Sequence, residues 1–349
     1  MSNLAVDLSS HTPPSNHPRY ADRYKPSAAL TFFTKFVVWS LLALIFIGSL
    51  VTSHGAGLSV PDWPTTYGQN MFLYPIKNWV GGILYEHGHR LFASGVGTLI
   101  LIQALWLSLK EKRRWVRNLG LLALGAVILQ GVLGGMTVLY RLPDWISMSH
   151  ALLAQSILAL CVVIAYAESR EFFARKHGEG VKGHPTAFKW CLFGAGLIFV
   201  QLFLGAWMRH AEAGLAVPGF PDLAGSYSLN FDQPRIEAIN AFRRSIALSP
   251  VDSNQILIHL SHRFFALFVA AYLLLLGLRI STTFPVRSAL RNTGLALGVL
   301  VAIQFLLGAW TIWSLRAPYI ASLHVATGAA LLALCTLAAL RSFTLKESD

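Results

Sequence analysis

The chain alternates between long apolar runs and shorter polar segments. A run of about 20 apolar residues is long enough to cross the hydrocarbon core of a bilayer as one helix. Eight runs of this kind cover residues 31–53, 82–108, 116–140, 146–167, 187–209, 256–279, 288–313 and 319–341. The pattern predicts an all-α membrane protein with eight transmembrane helices.

Composition and charge support this interpretation. Hydrophobic residues make up 54% of the chain and charged residues 13%, with a mean hydropathy of +0.54. A soluble domain holds roughly 25% charged residues. Most of the 28 lysines and arginines fall in segments on the same side as the N-terminus, as the positive-inside rule requires of cytoplasmic segments. We therefore predict that both termini are cytoplasmic, and that the net charge of +12 reflects orientation and not nucleic-acid binding.

The chain ends and the cysteines add little chemistry. Residues 1–30 are polar, contain several prolines and lack the apolar core of a signal peptide, which predicts a disordered cytoplasmic tail. Cys161, Cys191 and Cys335 all lie in apolar runs, and none forms a Cys-x-x-Cys pair. This placement argues against a disulfide framework or a zinc site.

The sequence repeats itself once. Four landmarks recur in the same order: an Ala-Gly-Leu-x-Val-Pro-x-x-Pro loop at 56–64 and 213–221, His-Arg at 89–90 and 262–263, Gln-x-x-Leu-Gly at 130–134 and 304–308, and histidine at 150 and 324. The repeat predicts two tandem four-helix bundles, residues 31–170 and 187–341. An even number of spans in each unit gives both the same orientation, so we expect a pseudo-two-fold axis along the membrane normal.

Four histidines lie near the outer ends of predicted helices, two in each unit: His89, His150, His262 and His324. Two imidazoles facing each other inside a helix bundle form the axial ligand set of a haem iron. Packing through hydrogen bonds is the ordinary role of a single membrane histidine, but a duplicated set favours metal ligation. Arg90 and Arg263 directly follow their histidines, and we expect them to bind haem propionates because a guanidinium suits a carboxylate.

The two units differ at one chemically important position. Glu86 stands three residues before His89, where the second unit has His259 three residues before His262. Residues three apart share a helix face, so Glu86 can act as a proton acceptor beside a haem ligand. The alternative is a salt bridge to Arg90 or a helix N-terminal charge. The asymmetry predicts that one unit works on a substrate while the other carries a permanent cofactor.

A Gln-x-x-Leu-Gly stretch occurs three times, beginning at Gln130, Gln201 and Gln304. Small residues allow helices to approach closely. We interpret most of these stretches as ordinary helix-packing motifs.

Taken together, these features resemble the haem A synthase family, across all eight predicted helices. The resemblance implies an oxidoreductase that oxidises a ring methyl of haem O to a formyl group through successive hydroxylations, giving haem A for terminal oxidases. It implies a haem b held by His262 and His324, and a substrate site at His89 and His150 with Glu86 as the catalytic carboxylate. It also implies a multi-pass protein of the bacterial cytoplasmic (inner) membrane, with its haem sites towards the outer face.

The resemblance names haem O synthase as the expected partner and leaves open whether the chain forms a homo-oligomer. One departure is that some members carry cysteine pairs in their outer loops, whereas the outer loops here contain none. Two other functions remain open at this point. One is a bis-histidine membrane cytochrome b that carries electrons, and the other is a transporter that uses the histidines as a proton relay.

Overall fold

The computed structural model describes residues 27–176 and 183–343, so the predicted N-terminal tail lies almost entirely outside the described residues. Helices account for most of the described chain. They are α1 (Ala28–Ser53), α2 (Gly82–Lys110), α3 (Arg114–Leu139), α4 (Asp144–Ala167), α5 (Arg170–Lys176), α6 (Pro185–His210), α7 (Gln233–Ser245), α8 (Ser253–Thr283), α9 (Ala289–Trp313) and α10 (Pro318–Ser342).

The predicted membrane spans are confirmed. Within residues 27–176 and 183–343, eight helices are long and apolar enough to cross a bilayer, namely all except α5 and α7. Their outward faces carry large exposed apolar side chains such as Trp39, Ile128 and Leu275, as expected of a surface in contact with lipid. The protein is therefore an all-α, multi-pass membrane protein.

The membrane helices form two closed rings of contacts. Helices α1, α2, α3 and α4 contact one another in sequence, and α4 returns to α1; helices α6, α8, α9 and α10 do the same, with α10 returning to α6. The rings meet where α10 packs on α1 and α4, and where α4 packs on α6. Each ring has its own apolar core, with Ile100 and Leu158 fully buried in the first and Leu273 and Leu297 in the second.

A buried charged cluster closes the end of the first ring that lies away from His89 and His150. Arg113 Nη2 donates to Glu111 Oε2 at 2.7 Å and to Glu168 Oε1 at 2.5 Å. Both glutamates are almost fully buried, and their carboxyl groups also share a hydrogen bond. Burial, with the neighbouring Glu111 carboxyl, raises the pKa of Glu168 to about 8. The pair is therefore expected to share one proton near neutral pH.

We expect this retained proton to make the stability of the protein depend on pH. Between the ordinary glutamate pKa and about pH 8, the folded protein holds a proton on Glu168 that the unfolded chain releases. Stability should therefore fall as pH rises through that window. Thermal unfolding of the detergent-solubilised protein between about pH 5 and about pH 8 measures the slope.

Glu168→Gln should flatten this slope, because glutamine remains neutral and still donates a hydrogen bond. The matched control is Glu237→Gln on the exposed face of α7, which should keep the parental slope. If Glu168→Gln also keeps the parental slope, Glu168 does not hold the proton.

Candidate functional site

Each of the four candidate histidines packs its ring edge against a glycine of the preceding membrane helix. The pairs are His89 with Gly48, His150 with Gly134, His262 with Gly205, and His324 with Gly308. A Cβ at these glycines would lie 2.9 Å (Gly48) or 3.1 Å (the other three) from the imidazole Cε1. Because this is closer than side chains normally approach, a larger residue would push the ring aside. We call these contacts the glycine cradles.

The histidines are also paired within each ring of helices. His89 and His150 lie close enough for their charges to interact, and so do His262 and His324. Among residues 27–176 and 183–343, Nδ1 of His89, His150 and His324 is buried without a hydrogen-bond partner. Buried polar atoms are normally paired, so unpaired imidazole nitrogens mark positions prepared for an additional partner.

The donor set fits a haem in each ring. In the part of the chain that the structure describes, no group of three or more His, Cys, Asp or Glu side chains could hold a metal ion by itself. Each pair of imidazoles could hold the iron of a haem, because the remaining ligands of that iron belong to the haem itself. The glycine cradles orient each ring without adding polar atoms, which suits a flat apolar group.

Glu86 is buried on α2, three residues before His89, and is tied to the loop 54–81. Its Oε1 accepts a hydrogen bond from Arg90 Nη2 at 2.6 Å, and its Oε2 accepts one from the backbone N–H of Val60 at 2.7 Å. Arg90 also donates to the carbonyls of Val60, Asp62 and Thr65 at 2.7, 2.7 and 3.1 Å. The salt bridge that the sequence offered as an alternative role for Glu86 is therefore present.

The loop that Arg90 binds is itself well ordered by Asp62. This carboxylate accepts hydrogen bonds from Thr65 Oγ1 and from the backbone N–H groups of Tyr67 and Gly68. Burial opposes the charge, but these hydrogen bonds outweigh it and lower the pKa of Asp62. Asp62 thus stays ionised and holds the loop in one conformation over the first ring.

In the second unit, Arg263 holds its loop as Arg90 does in the first, but without a partner equivalent to Glu86 among the residues that the structure describes. Arg263 donates to the carbonyls of Val217 and Asp222 at 3.4 and 3.3 Å, and its guanidinium lies 5.3 Å from the Phe220 ring. His259, the counterpart of Glu86, is buried and its Nδ1 donates to the carbonyl of Ala213 at 2.8 Å. Both arginines therefore fasten a loop, but in the described part of the second unit the position equivalent to Glu86 is held by His259, which has no carboxylate.

The segment between α6 and α8 folds into a cap that contains α7. Ala216 and Ile239 of this segment form a buried cluster with Ile256 at the start of α8. Arg243 is buried within it and donates from Nε to the carbonyl of Ser249 at 2.8 Å and from Nη1 to the carbonyl of Leu215. The loop is thus an ordered layer above the second ring.

Residues 31–336 match the family described as cytochrome oxidase assembly protein, COX15-CtaA. The chain belongs to this family. Similar proteins include the Heme A synthase of Shewanella oneidensis, 27% identical over 301 residues, which are 80% of this chain and 86% of that protein. The Heme A synthase of Sphingopyxis alaskensis is 30% identical over 253 residues, 71% of this chain and 67% of its own length. That of Shouchella clausii is 29% identical over 194 residues, 54% and 61% of the two chains.

Membership of the COX15-CtaA family confirms the resemblance that the motifs indicated. The match includes every predicted site residue: Glu86, His89, Arg90, His150, His262, Arg263 and His324. The sequence interpretation missed the three glutamines, which contact histidines and not only helix backbones. The signal was available, because each glutamine lies four residues before the glycine of a cradle.

Proposed function

We propose that this protein oxidises a ring methyl of haem O to a formyl group by successive hydroxylations, producing haem A. The observation that carries the proposal is the pairing of two histidines on glycine cradles in each ring, with a buried carboxylate at one site only. The family and the relatives named Heme A synthase agree with this activity. The enzyme is an oxidoreductase embedded in the membrane.

The first unit is the substrate site. His89 and His150 bind the iron of haem O, and Glu86 accepts a proton from the group being oxidised. Each Glu86 oxygen already accepts one hydrogen bond, from Arg90 and from Val60, and a carboxylate oxygen has further lone pairs. Glu86 therefore keeps the capacity to take a proton while Arg90 holds it in place.

The second unit holds haem b through His262 and His324. A bound haem b supplies one-electron redox chemistry at that site. Within the described chain, Arg263 donates to only two carbonyls, through long hydrogen bonds of 3.4 and 3.3 Å. N–H donors of its guanidinium therefore remain for a propionate. Arg90 is also proposed to bind a propionate, but its contacts with the loop and Glu86 leave it fewer donors.

The two rings form two tandem units, residues 31–170 and 187–341, related by a pseudo-two-fold axis along the membrane normal. In the repeat, α1 corresponds to α6 and α4 corresponds to α10. The contact pattern supports the two-fold axis, because the α1–α10 contact has an equivalent in the α6–α4 contact. The distribution of lysine and arginine supports cytoplasmic termini. The histidines then lie towards the outer face of the bacterial cytoplasmic membrane. The substrate carries an apolar farnesyl chain. We propose that haem O synthase delivers this substrate to the protein.

The test is acid-acetone extraction and chromatography of the haems from cells that make haem O, with and without this protein. We expect haem A, or its hydroxylated precursor, only when the protein is present. Haem b on the purified protein with haem O unchanged, in the presence of a suitable electron acceptor, would instead indicate a cytochrome b that carries electrons. That function leaves Glu86 without a role.

The glycine cradles give a second expectation. Gly308→Ala or Gly205→Ala should displace His324 or His262 and reduce haem b content, because the new Cβ meets the imidazole Cε1 at 3.1 Å. Haem content per chain, measured by pyridine haemochrome, reports the loss. Gly298→Ala and Gly196→Ala lie on the same helices with no atom within 4 Å of the new Cβ, so they should keep parental haem content. Equal haem content in all the variants would contradict the cradle role.

A further inference from the structure

Three of the four glycine cradles contain a glutamine one helical turn before the glycine. The pairs are Gln130 with Gly134, Gln201 with Gly205, and Gln304 with Gly308. Residues four apart lie on the same helix face, so the glutamine and the glycine of a pair face the same histidine. On α1 the corresponding position before Gly48 is Leu44, which has no polar group. His89 is therefore the one candidate ligand that faces no glutamine of this pattern.

The glutamines make specific contacts with the histidines. Gln130 Nε2 donates to the backbone carbonyl of His150 at 2.9 Å, and Gln201 Nε2 donates to that of His262 at 3.1 Å. Gln201 Nε2 also lies 3.0 Å from His262 Nδ1, and Gln304 Nε2 lies 3.4 Å from His324 Nε2. Each glutamine thus reaches either the ring or the backbone of its histidine.

The side-chain oxygens of these three glutamines accept no hydrogen bond in the described part of the chain. Oε1 of Gln130, Gln201 and Gln304 is buried, and it has no partner within residues 27–176 and 183–343. Gln201 and Gln304 have Nε2 next to a ring nitrogen, so a half-turn of either amide would let its oxygen accept a hydrogen bond from an imidazole N–H. Gln130 instead holds the backbone carbonyl of His150. A histidine that binds a metal through one ring nitrogen usually donates the other to such an acceptor, which fixes the tautomer and the ring orientation.

We infer that Gln130, Gln201 and Gln304 are positioning residues for His150, His262 and His324, and that His89, which has its Gly48 cradle but no such glutamine, is the least restrained of the four ligands. The inference rests on the proposed haem ligation. The second unit then has two fixed ligands and retains its haem. The first unit has one ligand with a glutamine and one without, and the weaker restraint on the second permits a substrate haem to enter and a product haem to leave.

The first experiment compares Gln201→Leu and Gln304→Leu with the parent, as purified full-length protein carrying haem b. We expect haem to transfer to apomyoglobin about 10–100-fold faster, since this is the usual effect of losing such an outer hydrogen bond. Gln103→Leu is the matched control, because Gln103 is fully buried in α2 beside Cys161 and belongs to no cradle. Parental transfer rates in Gln201→Leu and Gln304→Leu would overturn the inference.

Gln201→Glu separates positioning from packing. It keeps the size and the acceptor of the side chain and strengthens the basicity of the imidazole. We expect haem b to be retained with a lower midpoint potential and altered low-spin EPR g-values. A retained haem with parental potential and spectrum would count against the inference. A parent without any low-spin haem would instead refute the proposed function, so the two failures are distinguishable.

Leu44→Gln tests the prediction for His89. Adding the missing glutamine should slow the exchange of haem at the first site and raise its occupancy after purification, measured as haem O or haem A per chain. Ala43→Gln, which places the same side chain on the exposed face of α1, should behave as the parent. Exchange at the parental rate in Leu44→Gln would show that glutamine does not restrain this ligand.

Discussion

Replacing Glu86 with alanine is expected to abolish haem A formation while haem b remains bound. A positioned proton acceptor typically contributes about 10²–10⁴-fold to a rate, and its loss should leave only traces of product. Haem b should persist because Glu86 lies on α2, in a different ring of helices from His262 and His324. Chromatography of extracted haems and the absorption spectrum of the purified protein measure the two effects separately.

The salt bridge with Arg90 requires a control for this prediction. Alanine removes one of the four acceptors of Arg90 and the acceptor of the Val60 N–H, so it weakens the hold on the loop 54–81 as well as deleting the proton acceptor. Glu86→Gln keeps a carbonyl oxygen as hydrogen-bond acceptor but cannot take up a proton at neutral pH. We expect it to be as inactive as Glu86→Ala. An active glutamine variant, or loss of haem b in Glu86→Ala, would show that Glu86 is a structural anchor.

The membrane helices were predictable because their signal is local. An apolar run of sufficient length specifies a span regardless of what it packs against. The predicted helix ends were less accurate, because capping residues determine where a helix begins and ends. Helix α8 begins at Ser253, before the predicted 256, since Asp252 accepts from the Gln255 N–H and Gln255 accepts from the Asp252 N–H. Such a cap involves polar residues that lie outside the apolar run.

The site was predictable only in its residue types. The repeat indicated which histidines correspond. It also showed that Glu86 stands three residues before His89, where the second unit has His259 three residues before His262. The partners of Arg90 were not, because they are backbone carbonyls of an irregular loop, and any sequence supplies carbonyls. The role of Gln201 was hidden for a related reason. Its contact with His262 joins helices about 60 residues apart in the chain, and spacing alone does not indicate which helix faces which.

Replacing His262 or His324 with alanine is expected to remove the retained haem. Each substitution deletes one of the two proposed haem ligands and leaves an apolar gap beside its glycine cradle, so the remaining imidazole would have to hold the haem alone. The Soret absorption and the pyridine haemochrome of the purified protein should fall towards zero. Added imidazole, which can enter the gap, should restore part of the low-spin spectrum.

The contrast with other histidines decides whether this loss is specific. His210→Ala, at the end of α6 and outside the four cradles, should keep parental haem b. His89→Ala should also keep haem b but lose haem A formation, because it belongs to the other pair. If His262→Ala kept a full complement of low-spin haem while His89→Ala lost it, the retained haem would belong to the first unit. The assignment of substrate and cofactor sites to the two rings would then have to be exchanged, and with it the reason for a carboxylate at only one of them.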